Sequence, residues 1–475
     1  MDKKFKSLLF DTGAFAISNF ASKILTFLLI PLYTSVLSTS DYGIADLITN
    51  TINVIYPILT LNIMESTLRF AFDQDIDSGD VLINSLIFVF ISEVFLIAAS
   101  PIVKIVSQTM YSYWIWFLLI FLGYNLQQIL SQYVKGIGKT TVFAISGVVH
   151  TVAIITANIV GLLFLKLGLT AYLFSIVIGY AVATGYLIVA GNVRIKKFKV
   201  NRSILKDMLK FSLPTIPNNI AWWVNTSADK YVIIAYMGVA VSGIYSVAYK
   251  IPSILVLLSG IFTSAWTISV IQNVESKDSG SFQSKVYEYF NVANVLACSL
   301  LILLSQFLGS ILYAKDFYVA WKCVPLLLVA YLFSGLAGFF ASSFRATKYT
   351  KGLFSSTCTG AVANIVLNFY FVKKFGTMGA AFTTMIGFAL VFYIRSYTVK
   401  KLVDISFDIK RDSVGYLLLI AQAFIICLEV PLSYLIGGAI LLLIFVLYRK
   451  QCISLVYWMI SILKTLTTRA KKQSQ

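Results

Sequence analysis

Between residues 211 and 236 the chain carries Asn218, Trp222, Asn225 and Asp229 at steps of four, three and four. In a helix that spacing puts two amides, an indole and a carboxylate on one face. An indole offers a flat apolar ring with a polar edge, and amides can satisfy hydroxyls, so Trp222 and Asn225 suit a sugar. The other reading of Trp222 and Trp223 is an interfacial aromatic belt. Asp229, next to Lys230, and Asp46, in an earlier apolar segment, are intramembrane carboxylates, a residue type that serves as a relay for H+ or Na+. Charge balance for neighbouring lysines explains them equally well.

Five cations fall within or at the edges of apolar segments: Lys23, Lys230, Lys250, Lys322 and Arg395. Each costs about 2.5 to 3.5 kcal/mol at mid-bilayer, together about 15 kcal/mol, so the deeper ones must face counter-ions or a wet cavity rather than lipid. Arg395 and Lys322 lie near segment ends, where a long side chain can snorkel. Arg69 follows Glu65 by four residues, which fits a helical ion pair as well as a ligand contact. One histidine, His150, and five scattered cysteines offer no ligand spacing for a metal. Gly138-Lys139-Thr140 lacks the glycine and the preceding strand of a phosphate loop, and no nucleophile–base pair stands out. No cofactor is implied.

The elements that must position these residues are membrane spans. The chain is 59% hydrophobic and 12% charged, against roughly 45–50% and 25% in soluble domains. Apolar runs long enough for about 30 Å of hydrocarbon recur from end to end. About fourteen spans result, from 9–33 and 43–66 through 211–236, 240–268, 319–343, 353–372 and 378–398 to 413–429 and 432–448. The first run contains Asp11 and Lys23 and lacks a small-residue cleavage site, so it reads as a span rather than a signal peptide. Lys and Arg gather in alternate connections, which sets both termini in the cytoplasm and explains the net charge of +18 without nucleic acid. The external connections are short, leaving no room for an extracytoplasmic catalytic domain.

Ala157-Asn158-Ile159-Val160 recurs as Ala363-Asn364-Ile365-Val366, an offset of 206, and Ile178-Gly179 as Ile386-Gly387, an offset of 208. Gly43-Ile44 matches Gly243-Ile244 at an offset of 200. The expected organisation is an N-terminal lobe of six spans (1–191), a basic cytoplasmic linker (192–210), a second six-span lobe (211–400), and two further spans with a basic tail (401–475). An even number of spans per repeat places both lobes in one orientation with a site between them.

Several stretches resemble the polysaccharide-transport branch of the multidrug/oligosaccharidyl-lipid/polysaccharide (MOP) exporter superfamily, the Wzx-type flippases of O-antigen and capsule repeat units. They are Lys23 through Pro31 to Asp41-Tyr42-Gly43, Asp229-Lys230-Tyr231-Val232-Ile233, Gly243-Ile244-Tyr245, Asn364 to Asn368 and Gly376 to Ala381. The resemblance implies an all-α integral membrane protein with two six-helix lobes in a pseudo-twofold, V-shaped arrangement plus two C-terminal helices. It also implies alternating access and an undecaprenyl-pyrophosphate-linked oligosaccharide as cargo, carried from the cytoplasmic to the outer leaflet of the bacterial inner membrane with H+ or Na+ coupling. Polysaccharide polymerase machinery would be a partner. Substrate-binding roles pass to Lys23 and Lys250, and then to Arg69, Lys230 and Arg345. A lysine meets phosphate as a point charge, without the fork of arginine. Two rival readings remain: a MATE-like small-molecule or cation antiporter, and a membrane polymerase, for which the external loops are short.

Overall fold

The computed structural model describes residues 25, 27–73, 75–194, 200–273 and 279–454. Lys23 lies outside the described residues. Every regular element among them is helical. Among the described residues eight helices are long and apolar enough to cross a membrane, nine if one bent pair counts as a single span. The described residues form two compact units, one within residues 1–247 together with Leu312–Phe317, the other within 248–311 and 318–475.

In the first unit, α1 (Ile30–Val36) leads into α2 (Thr39–Leu59). A capping box starts α2: the Asp41 N–H donates to Ser38 Oγ at 3.1 Å and the Ser38 N–H to Asp41 Oδ2 at 3.3 Å. The span expected at 43–66 is broken. Leu61 and Asn62 take positive φ, and α3 (Ile63–Ala71) leaves at 64° to α2. Asn62 tolerates that conformation and ties the bend down by donating from Nδ2 to Thr215 Oγ1 at 2.6 Å. There follow α4 (Ser78–Ala98), α5 (Trp114–Gly136), α6 (Thr140–Asn158) and α7 (Gly168–Ala190).

The expected linker contains a helix, α8 (Arg202–Ser212), capped by Asn201. Its Met208 is fully buried, in a cluster with Ile63, Val81, Leu130 and Val134 of α3, α4 and α5. Arg202, Lys206 and Lys210 are exposed at every fourth residue. This is an amphipathic helix with its apolar row packed on the bundle and its cationic row outward, and a polar average over the segment conceals it. Beyond it stand α9 (Ile216–Met237) and α10 (Val239–Ala248).

The second unit begins with α11 (Pro252–Asn273). The span expected at 240–268 is therefore two helices, the second starting at Pro252, which has no N–H to give to the preceding turn. Then come α12 (Ser279–Leu303), α13 (Val324–Ala346), α14 (Thr350–Leu402), α15 (Ile409–Cys427) and α16 (Ser433–Leu447). The 53-residue α14 contains both expected spans, 353–372 and 378–398, separated at Gly376, whose φ of 60° and ψ of −138° suit only glycine. Side chains on nearly every side of α13 are buried, as in a helix surrounded by others.

The repeated asparagines are structural. Asn158 donates to Tyr33 Oη at 3.1 Å, while Asn364 Oδ1 accepts from Asn368 Nδ2 at 2.8 Å, and all three asparagines are buried. Amides in hydrocarbon need partners inside the protein. Large apolar side chains such as Ile105 and Val189 point outward, at 86% and 81% exposure, which suits a solvent of lipid tails.

Candidate functional site

Helices α2, α9 and α10 meet in the first unit through small residues. A Cβ on Gly43 would collide with the Val239 carbonyl, and one on Gly243 would meet Gly43 N at 2.8 Å. Bare backbone at both positions lets α2 and α10 approach closely enough for short polar side chains one turn along to touch.

There Asp46 of α2 receives three side chains. Lys230 Nζ of α9 lies 3.1 Å from Oδ1 and 3.0 Å from Oδ2, Ser246 Oγ of α10 donates to Oδ2 at 2.7 Å, and Asn50 Nδ2 donates to the same oxygen at 2.7 Å. The side chains of Lys230 and Asp46 are only 10% and 19% exposed. In low dielectric such a pair persists because its remaining lone pairs and protons are hydrogen-bonded.

Asp229, at 1% exposure, points elsewhere. Its Oδ2 accepts from Tyr245 Oη at 2.8 Å and its Oδ1 from the Lys230 backbone N–H at 2.9 Å. Tyr231 Oη and Thr51 Oγ1 are 2.7 Å apart, and Trp223 Nε1 donates to Asn50 O at 3.0 Å. Adjacent acids therefore differ: Asp46 faces a cation, whereas Asp229 is held by a phenol and an amide.

The structure brings together Asp46, Lys230 and Asp229 and spreads the other expected site residues. Trp222 is 42% exposed and Asn225, at 2%, is buried with its amide donating to Ala221 O, so the helical stripe does not share one environment. Arg69, at the end of α3, has Asp73 rather than Glu65 as its ion partner, 4.0 Å away and mostly exposed. Lys250 sits half-buried at the break before α11, and Arg345 is exposed at the end of α13; both belong to the second unit. Lys322 pairs with Glu429 at 2.7 Å on the surface.

Arg395 corrects the snorkelling expectation. It is 3% exposed and donates to Ser356 Oγ, Thr357 Oγ1 and Ala337 O at 3.0, 2.9 and 2.9 Å. Among the described residues no carboxylate lies within ion-pairing distance of it.

Sequence reasoning missed Ser246, Asn50 and Tyr245. A signal for Ser246 existed: it follows Asp46 by 200 residues, the offset that relates Gly43 to Gly243. It also missed Glu93, half-buried within α4, whose Oε2 is buried and has no hydrogen-bond partner among the described residues.

A bundle of apolar helices long enough to cross a membrane, holding a buried ion pair and a second carboxylate, is the architecture of a multi-pass membrane protein. Its residues 8–271 match the family model described as polysaccharide biosynthesis protein, and the chain belongs to that family. A solved lipid II flippase MurJ, in an inward closed conformation, superposes with a TM-score of 0.70 at 17% identity, covering 92% of this chain and 99% of that one. An inward-facing multidrug resistance MATE transporter of the MOP superfamily gives 0.68 at 14% identity, covering 82% and 98%. An uncharacterized membrane protein of Methanocaldococcus jannaschii is 24% identical over 201 residues, 41% of this chain; the match spans 46% of that relative's length.

Proposed function

We propose that the chain is a flippase that carries undecaprenyl-pyrophosphate-linked oligosaccharide repeat units, for O-antigen or another surface polysaccharide, to the outer leaflet of the bacterial inner membrane by alternating access. Membership of the polysaccharide biosynthesis family, on a fold shared with a lipid II flippase over 92% of the chain, carries the reading. The chain is then a transporter and not an enzyme, with both termini cytoplasmic. Residues 1–191 and 211–400 act as the two lobes, 192–210 joins them, and 401–475 stands outside the repeat.

The Asp46–Lys230 pair supports an ion-coupled cycle. While Asp46 is ionised it holds Lys230. A proton or Na+ at Asp46 weakens that attraction and frees the ammonium for a pyrophosphate oxygen. Cation entry and anion capture are thereby linked through one side chain, with Asp229 as a second acid nearby. In the same unit Arg69 supplies further charge for the pyrophosphate, and the exposed Trp222 contacts sugar.

The MATE-like alternative draws on the shared fold. A site for a cationic drug needs a carboxylate free to receive it, and Asp46 already has a resident ammonium. The polymerase alternative has only short external connections to work with.

Deleting the gene and locating the lipid-linked oligosaccharide with an impermeant sugar-oxidising label on spheroplasts tests the reading. Finished repeat units on the cytoplasmic side are expected. Unpolymerised units on the outer side would indicate a polymerase, and a wild-type pattern would overturn both.

A further inference from the structure

The second unit has two adjoining cavities that share one residue. The first, of about 530 Å³, is polar and is lined by Ser281, Ser284, Glu288, Ser406, Asp408 and Arg411 together with Lys285. The second, of about 610 Å³, runs between α11 and α12 over Leu258, Phe262, Val286 and Ala293, from Phe282 and Lys285 towards one end to Ala297 at the other. Twelve residues of α12 separate Lys285 from Ala297, a rise of about 18 Å. That exceeds the roughly 15 Å of hydrocarbon in one leaflet, so the groove is long enough for an acyl chain of a single leaflet.

The charges at the polar end sort by what already holds them. Arg411 Nη1 donates to Glu288 at 3.0 Å, Glu288 also accepts from Gln451 Nε2 at 2.9 Å, and the rest of the guanidinium faces Asp412. Asp408 caps α15 with Oδ1, accepting from the Arg411 N–H at 3.0 Å, and its other oxygen takes no hydrogen bond from a described residue. Lys285 is exposed and forms no ion pair with a described residue. One cation and one acid are thus available towards the head of an apolar groove long enough for an acyl chain.

We propose that this site holds a zwitterionic phospholipid of the cytoplasmic leaflet, with its phosphate on Lys285, its ammonium on Asp408 and an acyl chain along α11 and α12. The lining has as many acidic as basic groups, so it matches a head group carrying both charges better than a purely anionic one. In the orientation expected from the basic connections, the N-terminal end of α12 is cytoplasmic, which puts the polar pocket at head-group depth. The site is separate from the Asp46–Lys230 pair and does not depend on the cargo assigned above.

The experiment uses the purified full chain in mixed micelles containing equal amounts of phosphatidylethanolamine and phosphatidylglycerol, with the retained lipid quantified by mass spectrometry. The wild type should retain phosphatidylethanolamine preferentially. Lys285→Ala should lower that retention about fivefold, the effect of one interfacial cation. Asp408→Asn keeps a capping oxygen and should erase the preference between the two lipids. Ala293→Trp, at an exposed position in the groove, should reduce retention of both. Retention unchanged by Lys285→Ala and Ala293→Trp would overturn the proposal, as would a preference for phosphatidylglycerol. Monodisperse elution of each variant separates these outcomes from misfolding.

Discussion

Gly43 and Gly243, equivalent positions of the internal repeat, lie against each other where α2 crosses α10, and neither has room for a methyl group. Alanine at either position must push backbone against backbone. Gly43→Ala and Gly243→Ala should each destabilise the purified protein by about 1 to 3 kcal/mol, read as a lower thermal midpoint. Gly147→Ala, at a helical glycine with open space around it, should instead stabilise by about 0.5 to 1 kcal/mol. Equal effects at all three positions would contradict the crossing.

The Asp46–Lys230 pair makes a double-mutant prediction. Removing one partner breaks a pair held largely away from water, so Asp46→Asn or Lys230→Met alone should cost about 3 kcal/mol or more, and the two together less. Thermal unfolding of the three variants checks this. On the proposed coupled cycle, export should fail in all three. A stable, active double variant would remove the pair from the transport cycle.

Arg395 joins three stretches, the middle of α13 and both halves of α14, through a fork of three donors. Lysine keeps the charge and cannot reproduce the fork. Arg395→Lys should therefore cost about 2 kcal/mol or more by stranding buried acceptors. Limited proteolysis near Gly376 should accelerate in that variant.

Acids that differ in their partners should differ in reactivity. An apolar carbodiimide, which attacks neutral carboxyl groups, should label Glu93 first. Asp46 is engaged by an ammonium, a hydroxyl and an amide, and Asp229 by a phenol and a backbone amide. Peptide mapping after brief labelling reads the order, and faster labelling of Asp46 than of Glu93 would contradict it.

Much of the fold was legible because hydropathy reports what a bilayer demands of each segment. Neither break was legible: Pro57 passes through α2 unbroken whereas α11 begins at Pro252, and at Leu61 and Asn62 the positive φ accompanies a contact to Thr215, 153 residues away. Helical spacing grouped Trp222 with Asn225 and Asp229. It gave no direction, and it is Trp223 that turns inward to Asn50. Arg395 looked like a snorkelling residue because proximity to a segment end is local information, whereas its acceptors arrive from 38 to 58 residues upstream. The ion pair was visible only as two charges in separate segments, and nothing short of packing says which charges meet.

Asp46 accepts the Ser246 hydroxyl proton, and the two stand 200 residues apart, the offset by which Gly43-Ile44 recurs as Gly243-Ile244 in the sequence. In an assembly of two identical halves, a position so related would confront its own twin, and two carboxylates there would repel or have to share a proton. Joining the halves in one polypeptide lifts the restriction. One copy can keep the acid while the other becomes its hydroxyl ligand, a division of labour between positions that a symmetric dimer of one chain has no means to encode.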